Sequence, residues 1–268
     1  MRFLILLITL PALLSAQAPD ALKTERAEYA DWLATAPNSP YAAVARTAIG
    51  QGVMLGPETS DIPLEGVAAL QVTEDGRTVR LKGAGTDRLL PRDRRVPVVG
   101  YQFMVSGEPG RTLLTVYGPP GEPETPEYYA WSGNLIYTGP LVPADEPVRH
   151  RILTLDGLEV EATEAGEVRV PVGDSVYRLK VYRVPVPGTG ERELTIYFRD
   201  ATSGAGSYPA GRFVTLDPAG GGRYRLDFNR ARNPFCAYSS VYACPAPWPG
   251  NTLPHPVLAG EKYEGHDS

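Results

Sequence analysis

The sequence is poor in the residues that most often carry metal and nucleophilic chemistry. Among its 268 residues there are only two cysteines, Cys236 and Cys244, and three histidines, His150, His255 and His266. No C-x-x-C or H-x-x-x-H spacing, G-x-S-x-G motif, phosphate-binding loop or dinucleotide fingerprint is present. The sequence therefore offers no recognisable catalytic constellation, and we expect neither a metal nor any other cofactor.

Lysine is also scarce, with four lysines against 22 arginines, and the formal net charge at pH 7 is −5. No basic run is visible, whereas surfaces that bind nucleic acid concentrate positive charge. We therefore expect no nucleic-acid partner. The expected partner is an unknown small ligand or protein.

A long apolar run is absent from the whole chain after its first residues. The apolar core Phe3–Leu14 follows Arg2, is too short to span a bilayer, and is followed by the small residues Ala16 and Ala18. This pattern predicts a signal peptide over residues 1–18, with cleavage after Ala18 or, alternatively, after Ala16. No cysteine follows the apolar core, so a lipoprotein is not expected. The mature chain is predicted to be periplasmic or extracellular and not embedded in a membrane.

Two stretches near the amino terminus have helical features. Apolar residues at helical spacing predict a helix over Asp20–Thr35, and the pair Ser39-Pro40 predicts the start of a second helix, which ends at Gly50. From Val53 onward short alternating segments are separated by turns rich in Gly and Pro. The expected fold is mainly β, with antiparallel sheets forming a sandwich or barrel-like core and one or two N-terminal helices.

A proline-containing connection near residues 139–146 separates two β regions. We predict an N-terminal region of helices and strands over 19–140 and a C-terminal β region over 147–262. The polar residues 263–268 are predicted to form a disordered tail. Within the N-terminal region, the turn at Glu74–Arg77 between two alternating segments predicts a β-hairpin.

Polar side chains concentrate in the C-terminal region, in a block over residues 198–261. Asp200 follows one predicted strand and Asp227 ends another, and strand ends hold side chains on a rigid scaffold. The two carboxylates are candidates for a general acid and base if the fold brings them together. The candidate binding residues of the block are Arg212, Asn229, Arg230, Asn233, Tyr238 and Glu261.

The two cysteines lie in this same block, eight residues apart. In an exported protein with two cysteines, a disulfide between Cys236 and Cys244 is the expected outcome. A metal site is the alternative, with both cysteines and His255 as ligands and Glu261 or Asp227 as the fourth.

The motifs of the block resemble those of the DUF1684 family. The strings FRDATSG and SYPAGRF, which begin at Phe198 and Ser207, resemble its F-x-D-x-T-S-G…T-Y-x-x-G-R-[YF] signature. The string DFNRARNPFCAY, which begins at Asp227 and is followed by a second Cys-Pro, resembles its D-F-N-[RK]-A-Y-N-P-x-C-A-[YF]…C-P block. The resemblance covers Gly166–Lys262, and its last part matches the N-x-L-P…A-G-E-K pattern of the family.

Two residues depart from the family pattern. Arg232 stands where the family usually has Tyr, and Ser207 stands where Thr is usual. This chain therefore lacks the Tyr hydroxyl of the family at position 232. The family has no established activity, so the resemblance locates a site without naming its chemistry.

The sequence thus predicts an exported β-rich protein whose block over 198–261 binds a ligand or a partner, or fixes the C-terminal loop onto the sheet. The structural role rests on a general property of buried polar networks. Asp–Arg pairs and Asn–backbone hydrogen bonds pair the polar groups of loops that lack regular hydrogen bonding. The alternative function is that of a hydrolase or transferase with a carboxylate site formed by Asp200 and Asp227.

Overall fold

The computed structural model describes residues 17–172, 175–186, 191–246, 248 and 250–265. Most of the predicted signal peptide, residues 1–16, lies outside the described residues. In the described residues, the fold is mainly β with antiparallel sheets, one of which forms a nearly closed barrel, and one α-helix lies near the amino terminus. The predicted fold class is confirmed. In the described ranges, no helix is long and apolar enough to cross a membrane.

The helix α1 spans Asp20–Thr35, as its apolar spacing predicts, and buries Leu22, Tyr29 and Leu33. The second predicted helix is wrong. Only the 3₁₀ turn Pro40–Ala42 forms, and the following residues form a strand paired with residues 113–117. The helix propensity of this alanine-rich stretch is weak compared with the backbone pairing and burial that the sheet provides.

Nine strands build the N-terminal region: β1 Ala43–Ala48, β2 Val53–Gly56, β3 Ile62–Pro63, β4 Leu70–Asp75, β5 Thr78–Gly83, β6 Thr86–Leu89, β7 Arg95–Val98, β8 Tyr101–Ser106 and β9 Leu113–Tyr117. They form a four-stranded sheet in the order β1-β9-β8-β7 and a five-stranded sheet in the order β3-β2-β4-β5-β6. The predicted hairpin is confirmed, since β4 and β5 pair with Asp75 opposite Thr78. Its two-residue turn needs the positive φ of Gly76, which is +57°.

Eight strands build the C-terminal sheet: β10 Ile136–Pro140, β11 Val142–Pro143, β12 Arg149–Leu153, β13 Glu159–Val172, β14 Ser175–Pro185, β15 Arg192–Phe198, β16 Arg212–Pro218 and β17 Arg223–Asp227. Their order is β10-β17-β16-β15-β14-β13-β11, with β12 also paired to β13. Strand β10 precedes the predicted boundary in sequence, but it pairs with β17 and so belongs to this sheet. Short 3₁₀ helices occur at Gly133–Leu135, Phe228–Arg230 and Phe235–Ala237.

Each β region has an apolar core of its own, and a third cluster joins them. The N-terminal core lies between its two sheets, and the main C-terminal core lies inside the barrel-like sheet. Ala42, Tyr117 and Tyr242 are buried together, with Met104 and Phe235 packed against them. The loop after β17 therefore contacts the four-stranded sheet and holds the two regions against each other.

Candidate functional site

Asp200 and Arg212 form the buried centre of the predicted polar block. Asp200 follows β15 and Arg212 begins β16, which places them on neighbouring strands. Their side chains have no exposed surface, and an oxygen of Asp200 lies 3.2 Å from a guanidinium nitrogen. Burial lowers the pKa of Arg212, and the charge of Asp200 opposes that shift. The pair is thus an internal ion pair and has no direct access to a ligand.

The same two side chains fix the end of the chain to the sheet. The guanidinium of Arg212 donates to the carbonyl oxygens of Val257 at 3.0 Å and Glu261 at 3.1 Å. The carboxylate of Asp200 accepts from the N–H of Val257 at 2.6 Å and from the hydroxyl of Thr202 at 2.8 Å. The segment 257–261 belongs to no strand, so these bonds pair backbone groups that a sheet would otherwise pair.

Asp227 and Asn229 form a second centre. The carboxylate of Asp227 caps the 3₁₀ turn by accepting from the N–H of Asn229 at 3.0 Å, and it also accepts from Arg225 at 2.9 Å. The amide of Asn229 in turn exchanges two hydrogen bonds of 2.9 Å with the backbone of Ser132. Asp227 and Asp200 share no hydrogen-bond partner among the described residues.

Glu261, Asn233 and Tyr238 form a third centre. Glu261 is fully buried, and its Oε2 accepts from the N–H of Asn233 at 2.7 Å and from the hydroxyl of Tyr238 at 2.6 Å. Its Oε1 has no partner among the described residues. Burial raises the pKa of Glu261 to about 7, against the opposing effect of these hydrogen bonds. Burial likewise raises the pKa of Tyr238 well above its usual value.

Helix α1 is held by two arginines of the block. Glu25 forms ion pairs of 3.2 Å with both Arg230 and Arg232. The guanidinium of Arg232 also lies 4.2 Å from the ring centre of Tyr29. Arg232 stands where the family usually has Tyr, and in this chain its guanidinium binds α1.

Cys236 and Cys244 lie at disulfide-bonding distance, with their Cα atoms 5.5 Å apart. The ring of His255 packs edge to face against the ring of Tyr177, with the ring centres 5.8 Å apart. No group of three or more His, Cys, Asp or Glu side chains in the described part of the chain is placed to hold a metal ion.

A cavity outside the three buried centres lies between the four-stranded sheet and the barrel-like sheet. We call it the inter-sheet cleft. It has a volume of about 640 Å³, and its aromatic lining residues are Trp32, Tyr117, Phe213, Phe235, Tyr242 and Trp248. Four arginines and four acidic residues also line it: Arg46, Arg95, Arg230, Arg232, Glu25, Asp93, Asp156 and Glu193.

Several residues that line the inter-sheet cleft carry a buried polar atom without a hydrogen-bond partner among the described residues, and Ser106 and Trp248 are two of them. Ser106 is 2% exposed and Trp248 is 4% exposed, yet neither the Ser106 hydroxyl nor the Trp248 Nε1 has a hydrogen-bond partner among the described residues. Such groups cost free energy unless water or a ligand satisfies them. Of the predicted site residues, Arg230 is the one that lines this cleft. In the sequence, the signal that could have indicated this cleft was the set of aromatic residues in the loop after β17.

Comparisons with known proteins give a family and no function. The family profile described as "Protein of unknown function (DUF1684)" matches residues 124–262. A solution NMR structure of an uncharacterized protein from Haloarcula marismortui is similar, with 29% sequence identity and a TM-score of 0.44. The similarity covers 52% of this chain and 76% of that one. Among curated proteins, none matches the chain.

Proposed function

The chain belongs to the DUF1684 family, and we propose that it is an exported protein that binds a small molecule in the inter-sheet cleft. The observation that carries this proposal is the unpaired Ser106 hydroxyl and Trp248 Nε1 in a cavity of about 640 Å³. Ligand sites commonly measure about 300–1,000 Å³ and combine apolar walls with a few polar groups that orient the ligand. The inter-sheet cleft has these properties.

The buried part of the polar block has a structural role in this proposal. The Asp200–Arg212 pair and the Asp227–Asn229 cap hold the loop after β17, and that loop supplies Phe235, Tyr242 and Trp248 to the cleft wall. The hydrolase or transferase alternative lacks support, since the side chain of Asp200 has no exposed surface and the two carboxylates share no partner. A binding protein fits these contacts better than an acid–base enzyme does.

The lining also indicates the kind of ligand. Four arginines and four acidic residues balance in formal charge, and two of the arginines are paired with Glu25. A ligand with strong net charge of one sign would therefore gain little from the cleft. The expected ligand is neutral or carries both charges, and it has an apolar face that packs on the aromatic residues.

The test fills the inter-sheet cleft without disturbing a core. Thr215 is an exposed residue of β16 that lines the cleft, so Thr215→Trp introduces a large side chain there. Thr78 is an exposed residue of β5 outside the cleft, and Thr78→Trp is the matched control. Native mass spectrometry of each protein with a mixture of neutral and zwitterionic metabolites should show a bound species with wild type and Thr78→Trp. The species should be lost with Thr215→Trp. No bound species with wild type, or equal binding by both variants, would contradict the proposal.

A further inference from the structure

A smaller cavity separate from the inter-sheet cleft lies beside the third buried centre. It has a volume of about 210 Å³ and is lined by residues that do not line the larger cleft, among them Tyr41, Asn233, Tyr238 and Tyr263. Tyr41 and Tyr238 meet edge to face, with their ring centres 5.8 Å apart. The volume is below the usual range for drug-sized ligands, so the cavity suits a small molecule.

Asn233 brings an unpaired acceptor to the lining of this cavity. The residue is 3% exposed, its Nδ2 donates to the carbonyl oxygen of Lys262 at 2.9 Å, and its backbone N–H donates to Glu261. Its Oδ1 has no hydrogen-bond partner among the described residues. A buried acceptor without a partner costs free energy, which a donor on a ligand would restore.

The surroundings of Asn233 also favour positive charge. Glu261, whose pKa is raised to about 7 by burial, contacts both Asn233 and Tyr238 and adds a second unpaired oxygen, Oε1, rather than a full negative charge. Glu127 and Glu264, two further acidic residues, line the cavity, and Lys262 is the one cation among the described residues of its lining. The ammonium of Lys262 is 3.6 Å and 3.9 Å from the exposed carboxylates of Glu127 and Glu264, so it offsets only part of this charge.

We propose that this cavity binds a small primary alkylammonium ion. One ammonium N–H donates to Oδ1 of Asn233, the positive charge lies near the acidic residues, and the alkyl chain packs on the rings of Tyr41 and Tyr238. Tyrosine faces attract cations, but attraction of this kind does not distinguish primary from quaternary ammonium groups. The unpaired acceptor makes that distinction, because a quaternary ammonium ion has no N–H to donate.

The first test uses the wild-type protein and two probes. Titration of n-butylamine and of tetramethylammonium, followed by calorimetry or NMR chemical shifts, should show saturable binding of butylamine. Its affinity should exceed that of tetramethylammonium by at least about tenfold, since a hydrogen bond to a charged group contributes that much. Absence of saturable butylamine binding, or equal or tighter binding of tetramethylammonium, would overturn the proposal.

The second test uses variants. Asn233→Ala should weaken butylamine binding by at least about tenfold. If Asn233→Ala does not fold, the exposed double variant Glu127→Gln/Glu264→Gln gives an independent result and should weaken binding several-fold. Its matched control is Glu159→Gln/Glu161→Gln, two exposed acidic residues outside the cavity, which should leave binding unchanged. Equal effects of the two double variants would contradict the proposal.

The Thr215→Trp variant separates this site from the inter-sheet cleft, because Thr215 does not line the smaller cavity. This variant should keep full butylamine binding. Loss of amine binding in Thr215→Trp would place the amine in the inter-sheet cleft and overturn the separate site.

Discussion

The carboxylate of Asp200 and the guanidinium of Arg212 lie 3.2 Å apart with no exposed side-chain surface on either residue. Both members of this pair form hydrogen bonds with the segment from Val257 to Glu261. The net contribution of such a buried ion pair to the free energy of unfolding is small. Removal of one partner is strongly destabilising, because the other charge then stays buried without compensation.

The variant Asp200→Asn should therefore destabilise the protein by roughly 3–5 kcal/mol, because it leaves the charge of Arg212 buried without compensation. The free energy of unfolding is measured by denaturant titration. The control is Glu161→Gln, which removes an exposed partner of Arg149 and should change stability by less than about 1 kcal/mol. Similar effects of the two substitutions would contradict the described burial.

Glu261 should make stability depend on pH. Its folded-state pKa of about 7 lies above the ordinary value of 4.5, so the folded state binds more protons than the unfolded state between these two values. The stabilising contribution is complete below about pH 4.5 and is lost as pH rises through about 7. The charged and titratable groups that act on Glu261 among the described residues are Tyr238, Tyr29, Tyr128, Tyr41, Arg26, Arg232 and Arg212.

The variant Glu261→Gln keeps the shape of the side chain and cannot titrate. Relative to this variant, the wild-type free energy of unfolding should fall by on the order of 3 kcal/mol between about pH 4.5 and about pH 7. Denaturant titrations of both proteins across this range measure the difference. Parallel curves would show that Glu261 does not titrate in this range.

If the protein is exported as proposed, Cys236 and Cys244 should be joined by a disulfide. Non-reducing mass spectrometry after alkylation should find the two cysteines linked and no alkylated thiol. Replacement of both by Ser should lower the free energy of unfolding by roughly 2–3 kcal/mol, the value expected for closing a loop of this length. Two alkylated cysteines in the native protein would sink this prediction.

The proposed export predicts the position of the mature amino terminus. If a signal peptidase reads Ala16 and Ala18, the mass of the secreted chain should correspond to a start at Pro19, or at Gln17 for cleavage after Ala16. Ala18→Arg should suppress the Pro19 form. A full-length chain that starts at Met1 in the secreted fraction would contradict cleavage.

Local patterns predicted the elements whose contacts are local in sequence. Alternating residues on either side of a Gly-containing turn were sufficient for the β4–β5 hairpin. Alternation over residues 98–105 predicts one strand, but Val99 and Gly100 adopt positive φ and turn the chain into the β7–β8 hairpin. A positive φ at Val is rare, so no propensity rule indicates this turn.

The polar block could be located from sequence, but its role could not. Asp200, Arg212, Asp227 and Asn229 occur in recognisable motifs, yet only the structure shows that they bond to each other and to the backbone. The inter-sheet cleft was not predictable, because Ser106 and Trp248 line it from segments far apart in sequence. No short-range pattern records such a contact.

The attachment of α1 has a consequence for the order of folding during synthesis. Glu25 and Arg232 are separated by 207 residues, so α1 is made long before the arginines that hold it. Contacts of such high sequence separation form late, because the intervening chain must first be closed into a loop. Nascent chains that stop before β17 cannot dock α1 in this way, and its apolar face then stays open to other partners such as chaperones.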